Sequence, residues 1–381
     1  MLVPGLRRSA ALAPATQIPG PGAGAGAGAE EALRLAWVDV AKGLCIVLVV
    51  MMHSTLGTGN EMGGEGFLHN VVAFAKPFRI PDFFLLSGLF VGRVIDRDWR
   101  LFADRRVVHF AYFYLLWVLI QSAVKYGQIV DGAGPGAFLA HLAHALVEPY
   151  STLWFIYLLA VFSVLTKLLR GLHPALLLGG AALLQSLPLD GYSDLVTEFC
   201  GRYVWFVAGY LFAARIFRFA DLVRRHPRAA LVGLAAWAVV NGLFAFTATG
   251  HATFPTLASL PLVSLALGGA GALAIVAVGA LLTLAGGPLT AALRACGERS
   301  IVIYLAFFLP MAATRMLIVK TGAVTDIGLA SLVVTLVAVL VPLAIERVVR
   351  HTPFVFLFRR PAAFHIVAET PPRSATTAAA R

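Results

Sequence analysis

The stretch "DVAKGLCIVLVVMMHS", residues 39–54, is almost entirely apolar and has the composition of a membrane-spanning helix. Such a helix needs about 20 predominantly apolar residues. The stretch nevertheless carries Asp39 and Lys42 near one end and His53 near the other. Titratable groups within a span usually face the protein interior or a wet cavity. These three residues are therefore the first candidates for a functional site.

The rest of the chain shares this membrane character. Its 381 residues are 59% hydrophobic and only 13% charged, whereas a soluble domain carries about 25% charged residues. Apolar runs recur along the chain, and they are continuous rather than alternating, which argues against a transmembrane β-barrel. The sequence therefore predicts an all-α polytopic membrane protein whose partner is the lipid bilayer.

We predict about ten transmembrane helices with the N- and C-termini inside. The predicted spans are 37–56, 80–95, 107–124, 152–169, 174–189, 199–217, 229–248, 261–285, 300–318 and 327–346. The apolar stretch at residues 254–286 contains "LGGAG", and it leaves open whether one span or two lie there.

The distribution of basic residues supports this orientation. Of the 30 Lys and Arg residues, those that fall toward the outside are Lys76, Arg79, Lys125, Arg202, Arg315 and Lys320. A strong excess of Lys and Arg in inner loops is the usual topology signal of membrane proteins. The net charge of +11 therefore does not indicate a nucleic-acid partner.

The ends of the chain differ in composition from its centre. Residues 1–32 are rich in Ala, Gly and Pro, and we predict a disordered tail there. Residues 33–351 form the predicted transmembrane domain, and residues 352–381 are expected to be a cytoplasmic C-terminal tail. The pair His141 and His144 lacks a nearby third ligand, so we expect no metal site.

Helix geometry places the three titratable groups of the first span on one face. A helix turns about 100° and rises about 1.5 Å per residue, so Lys42 and His53 differ by about 20° in direction and about 16 Å in height. Asp39 lies about 60° from Lys42. Histidine suits proton transfer because its unperturbed pKa is about 6.5. The alternative is that Lys42 reaches the inner headgroups and His53 is an interfacial residue.

Five motifs together resemble the membrane acyltransferase-3 family over about residues 33–350. They are the opening stretch, "FRIPDFFLLSGLF" (78–90), "LWFIYLL" (153–159), "YVWFVAGYLF" (203–212) and "CGERSIVIYLAF" (296–307). In that family the first helix carries a basic residue, ten others and then a histidine, which Lys42 and His53 match. The family often has a histidine shortly after the "IYL" motif; this chain has Phe307 there, so we predict no role for that position.

The resemblance implies an integral membrane acyltransferase of the bacterial inner membrane. Such an enzyme moves an acyl group, often acetyl, from cytoplasmic acyl-CoA to a hydroxyl of a carbohydrate or other cell-surface acceptor. The implied catalytic residues are His53, Lys42 and Asp39, with His53 acting as general base or as a transient acyl carrier. Acyl-CoA is then a co-substrate, and no permanently bound cofactor is expected.

Arginines shortly before the third span are candidates for the donor site: Arg97, Arg100, Arg105 and Arg106. Arginine suits the phosphates of a CoA-type donor, although the same residues also serve as topology signals. The family has an Arg-x-x-Arg pattern near the start of this helix. Either Arg97 with Arg100, or Arg106 with His109, corresponds to it.

Two residues at the start of the second span are candidates for acceptor binding. Pro81 fits the first turn of a helix, and Asp82 then lies near the positive end of the helix dipole. Arg79 falls just outside, on the same side of the membrane as His53. We predict that Arg79 and Asp82 line the outer mouth of a cavity that includes His53.

Two other functions compete with acyl transfer. A secondary transporter would use the stripe of Asp39, Lys42 and His53 as a proton or substrate pathway. No inverted repeat is visible in the sequence, although transporters often have one. In a structural or sensory membrane protein the polar stripe would have no catalytic role.

Overall fold

The computed structural model describes residues 25–132, 134–187 and 193–367, with the backbone alone for residues 25–34. Helices dominate this part of the chain, and the described residues form no β-strand. The helices are α1 (Ala25–Met62), α2 (Phe67–Ala75), α3 (Arg79–Gly88), α4 (Trp99–Phe102), α5 (His109–Val124), α6 (Tyr126–Val130), α7 (Pro135–His144), α8 (Trp154–Leu169), α9 (Pro174–Ser186), α10 (Asp194–Arg225), α11 (Pro227–Phe246), α12 (Pro261–Ala285), α13 (Gly287–Glu298), α14 (Ser300–Ala306), α15 (Phe308–Thr321) and α16 (Ile327–Val349).

Several of these helices are long and apolar enough to cross a membrane. Among the described residues six pass on length and composition: Leu35–Met62, Trp99–Val124, Ser151–Leu169, Pro227–Phe246, Pro261–Ala285 and Ile327–Val349. The pair α14 and α15 is bent by 52° at its break and would form a seventh crossing if it acts as one span. The predicted all-α polytopic membrane fold is confirmed.

Two of the ten predicted spans correspond to short helices. The predicted spans at 80–95 and 174–189 correspond to α3 and α9, which have 10 and 13 residues. Both are short for a bilayer, which needs about 20 residues. The count of ten and the inside termini therefore stay predictions. The stretch at 254–286 contains one helix, α12, which runs unbroken through its glycines.

Local signals explain where several helices begin. The side chain of Ser193 accepts a hydrogen bond from the backbone N–H of Val196 and caps α10. Asp326 caps α16 in the same way by accepting from the backbone N–H of Leu329 at 2.7 Å. Proline occupies the first turn of α9, α11 and α12, where the missing N–H costs nothing.

Helix α1 lies at the centre of the bundle and makes its most extensive contact with α13. Glycine allows the two backbones to touch: a Cβ at Gly297 would lie 1.7 Å from the carbonyl oxygen of Asp39, and one at Gly43 would lie 1.8 Å from that of Leu293. Small residues at helix crossings are typical of membrane proteins, where close backbone approach drives association. This contact fixes the end of α1 that carries Asp39 and Lys42.

Parts of both predicted tails have regular structure where the structure describes them. Residues 25–32 already belong to α1, because alanine and glutamate favour a helix. Residues 353–357 and 362–364 form short 3₁₀ helices, and the segment that contains them packs against α5, as shown by a hydrogen bond from Tyr112 Oη to the carbonyl oxygen of Phe356 at 3.0 Å. The predicted tail at residues 1–24, and the last residues, 368–381, lie outside the described residues.

Candidate active site

The polar face of α1 carries Asp39, Lys42 and His53, as the helical spacing predicts. Lys42 Nζ lies 3.9 Å from Asp39 Oδ1, and the two side chains are 30% and 28% exposed. Helix α3 packs along this face in the opposite direction. Its start places Arg79 within electrostatic range of His53, and just after its end Phe90 lies beside Lys42. The face therefore has two ends, which we term the Lys42 end and the His53 end.

The Lys42 end gathers three cations around one aromatic ring. Lys42 Nζ and Arg93 Cζ lie 5.2 Å and 4.9 Å from the centroid of Phe90. Arg106 Nη2 donates a hydrogen bond of 3.1 Å to the carbonyl oxygen of the same residue. Cations stack favourably on an aromatic face, and here the stacking brings together positive charges that Asp39 balances only in part. This end is suited to bind an anion.

A cavity of about 470 Å³ lies next to Arg106, where α5 meets the segment after α16. Arg106 lies in a π-helical turn, Ala103–Val108, which joins α4 to α5. Such turns re-aim side chains and are frequent at functional sites. The cavity is lined by Val94, Arg105, Arg106, His109, Phe113, Phe358, Arg359, Arg360 and His365.

The four predicted donor arginines fall into two pairs. Arg105 and Arg106 line the cavity, whereas Arg97 and Arg100 are exposed and do not line it. The reason is local: Asp98 accepts a hydrogen bond of 3.2 Å from the backbone N–H of Leu101 and starts a new helix. The prediction that Arg97 and Arg100 belong to the same site is therefore not supported.

His109 also lines the cavity beside Arg106. Of the two candidates for the Arg-x-x-Arg position, Arg106 with His109 is thus the pair that the fold directs into one site.

The His53 end lies at the break between α14 and α15. The imidazole of His53 packs against Phe307, with ring centroids 5.6 Å apart. Phe307 is fully buried, and it occupies the position to which the sequence assigned no role. Among the described residues no hydrogen-bond partner of His53 is found. Its ring is thus fixed by packing, and its nitrogens are available to a substrate.

Charged residues that the sequence did not single out also lie near this end. Arg315 Nε is 2.7 Å from Glu61 Oε1, and its guanidinium packs on Gly57, one turn beyond His53. Lys125 Nζ lies 4.3 Å from the ring centroid of Phe308. Burial, and then the positive charge of Arg315, lower the pKa of Lys125. The His53 end is therefore predominantly positive.

Arg79 and Asp82 lie deeper than predicted. Arg79 is 8% exposed, and its Nη1 donates to the carbonyl oxygen of Val72 at 2.9 Å. Asp82 is 1% exposed, and neither carboxyl oxygen has a hydrogen-bond partner among the described residues. Helix α3 turns Asp82 into the bundle, so it does not line an open mouth. A buried polar group without a partner calls for water or a ligand.

His141 belongs to a packed region of the segment between α5 and α8. Its Nε2 lies 3.1 Å from Ser122 Oγ, and its ring stacks edge-on against Tyr150 at 4.5 Å between centroids. Burial, and then the charges of His144 and Lys125, lower the pKa of His141. The neutral imidazole therefore suits its hydrogen bond with Ser122.

Residues 35–347, which include the whole polar face of α1 and its neighbours, match the family model of the acyltransferase domain, acyltransferase-3. The chain belongs to the acyltransferase-3 family. The family predicted from the sequence motifs is thus confirmed, and the chain carries an acyltransferase domain embedded in a membrane. The segment that closes the cationic cavity, residues 353–367, lies beyond this match.

A curated relative agrees with this assignment. The inner membrane protein YcfT of Escherichia coli strain K12 is 27% identical over 158 residues, which cover 35% of this chain and 43% of that protein. The match therefore spans less than half of the relative. Together with the apolar helices, it confirms the predicted location in a bacterial inner membrane. No solved structure matches the chain.

Proposed function

We propose that the protein transfers an acyl group, acetyl foremost, from cytoplasmic acyl-CoA to a hydroxyl of a carbohydrate or other cell-surface acceptor. One observation carries the proposal: a single face of α1 joins a cationic end at Lys42 to His53, whose ring nitrogens have no hydrogen-bond partner in the described part of the chain. The first suits the phosphates of the donor, and the second suits proton transfer from the acceptor. The acyltransferase family to which the chain belongs supplies the reaction class.

At the donor end, Lys42, Arg105 and Arg106 bind the anionic part of acyl-CoA. Asp39 lies close enough to orient the ammonium group of Lys42. Arginine offers two parallel N–H donors to a phosphate, and the half-buried position of Arg106 strengthens its interactions relative to those in water. The extended pantetheine arm of CoA then carries the thioester from this end toward His53.

At the acceptor end, His53 acts as general base. It takes the proton of the acceptor hydroxyl while that oxygen attacks the thioester carbonyl. The C–S bond breaks, and CoA leaves as its thiol after taking up a proton. Phe307 holds the imidazole without competing for its nitrogens. Alternatively, His53 carries the acyl group transiently before the hydroxyl attacks.

Arg79, near His53, is proposed to contact the reacting groups. Its Nε has no hydrogen-bond partner among the described residues, so the guanidinium retains a donor for an acceptor oxygen or for the developing oxyanion. Preorganised donors at a developing negative charge are usually the largest single contribution to catalysis.

The test is to incubate the purified full chain with acetyl-CoA labelled in the acetyl group and with candidate glycans. Acyl transfer requires label in ester linkage to the acceptor, with one CoA thiol released for each ester formed. A transporter that uses the same polar face would instead move a solute across proteoliposomes without releasing thiol. Solute movement without ester formation, across a panel of glycans and acyl chain lengths, would refute the proposal.

A further inference from the structure

We propose that the segment at residues 353–367 forms one wall of a nucleotide-binding cavity, and that Arg359 and His365 bind the phosphates of the donor from this wall. The proposal rests on the proposed function for the identity of the donor, and it extends the site to residues outside the matched family domain at 35–347. The sequence placed these residues in a tail without a function.

The segment is anchored, so it can serve as a wall. Arg360 Nη2 lies 3.0 Å from Asp104 Oδ2, and both side chains are 6% exposed. Arg360 Nη1 also donates to the carbonyl oxygen of Asp104 at 2.8 Å, and the backbone N–H of Ile366 donates to Asp104 Oδ1 at 2.7 Å. On the other side, Trp117 Nε1 donates to the carbonyl oxygen of Leu357 at 3.1 Å.

This anchoring also separates the roles of the two neighbouring arginines. Asp104 neutralises Arg360, whose guanidinium is held in the wall. Arg359 is exposed on the cavity side, and no carboxylate among the described residues lies within ion-pair distance of it. Arg105 faces the same space from the π-helical turn before α5. The two arginines thus line one space from two different elements, and the residues that line it include no carboxylate, which favours an anion there.

The remaining lining residues favour a nucleotide over a simple anion. Phe358 is half-buried and lines the cavity together with the cations, whereas Phe113 is almost fully buried behind it. A base can stack on an aromatic ring such as that of Phe358, and this stacking stabilises nucleotide binding whatever the base. His109 and His365 add further donors. The volume of about 470 Å³ lies within the range of about 300–1,000 Å³ that is usual for small-molecule sites. A phosphorylated adenosine, as in CoA, combines the required features.

Binding, measured separately from catalysis, tests the proposal. Adenosine 3′,5′-diphosphate, CoA and inorganic phosphate would each be titrated by calorimetry into the full chain in nanodiscs. Arg359→Gln and His365→Gln are the test variants. Arg347→Gln is the matched control because it removes the same charge. Arg347 is exposed at the end of α16 and does not line the cavity.

Losing one charge-assisted hydrogen bond should weaken binding of both nucleotides about 10- to 150-fold in Arg359→Gln. Arg347→Gln should bind both like the unmodified protein, Arg359→Lys should recover part of the affinity, and phosphate alone should bind far more weakly than adenosine 3′,5′-diphosphate.

If CoA binds Arg359→Gln and His365→Gln with unchanged affinity, the wall has no role in binding and the inference is wrong, while acyl transfer from CoA stands. If adenosine 3′,5′-diphosphate binds through Arg359 but no acyl transfer is found, the cavity is a nucleotide site and the proposed function fails instead. Binding of phosphate as tight as that of the nucleotide would also overturn the inference, because the site would then be a general anion site or one for lipid headgroups.

Discussion

Replacing Gly297 by alanine should damage the donor end of the site without touching any charged group. A Cβ at this position would lie 1.7 Å from the carbonyl oxygen of Asp39, and real Cβ atoms stay at least 3.0 Å from such atoms, so α1 and α13 must separate locally by about 1.3 Å. Forcing extra volume into a packed contact costs about 1–3 kcal/mol. The displaced backbone belongs to Asp39, which lies beside Lys42.

The assay combines stability with donor kinetics. The apparent melting temperature in detergent should fall by about 2–10 °C in Gly297→Ala, and the KM for acyl-CoA should rise because Asp39 and Lys42 shift. Gly233→Ala is the matched control: Gly233 lies within α11, and a Cβ there meets nothing within 4 Å. A Gly297→Ala protein as stable and as active as Gly233→Ala would refute the close contact of α1 with α13.

Changing Arg105 and Arg106 together to lysine keeps the charge that orients the loop but removes two planar donors, so the KM for acyl-CoA should rise about 10- to 150-fold. The same change at Arg97 and Arg100 is the control and should leave the KM unchanged. An unchanged KM in the Arg105 and Arg106 variant, with orientation verified by cysteine accessibility, would return these two residues to a topology role. In the segment between α5 and α8, burial lowers the pKa of His141, so the folded segment binds a proton more weakly than the unfolded one. Its contribution to stability is present above pH about 6.5 and is lost as the pH falls below that value. The protection factor of its amides, which is the exchange rate corrected for its intrinsic pH dependence, should therefore fall on acidification, and a protection factor that does not respond would contradict this.

The polar face of α1 could be predicted from the sequence because helical periodicity is local. Positions 42 and 53 lie on the same face of any regular helix, so their alignment can be predicted without knowledge of tertiary contacts. The membrane character of the chain is equally local, because it depends on composition alone. The π-helical turn before α5, by contrast, inserts a residue into the regular spacing, so the direction of Arg105 and Arg106 could not be read from the third span.

The second wall of the cavity could not be predicted because it depends on partners far apart in sequence. Asp104 and Arg360 are separated by 256 positions, and nothing in the sequence near either residue indicates the other. The run "FVFLFRRP" at residues 354–361 carries aromatic and basic residues, which is a weak signal for a packed segment. The contact of Phe307 with His53 is likewise tertiary. Because the family often has a histidine at position 307 and this chain has a phenylalanine, the sequence provided no reason to predict a role for that residue.

The central claim is that His53 performs the transfer chemistry, and the turnover of His53→Ala tests it most directly. Proton transfer by a positioned side chain contributes about 10²–10⁴-fold, so the rate of acyl transfer should fall by at least that factor, while insertion, melting temperature and CoA affinity stay unchanged. His144→Ala, at an exposed histidine between α5 and α8, should retain full activity. A correctly inserted His53→Ala protein that transfers acyl groups at the unmodified rate would contradict the account.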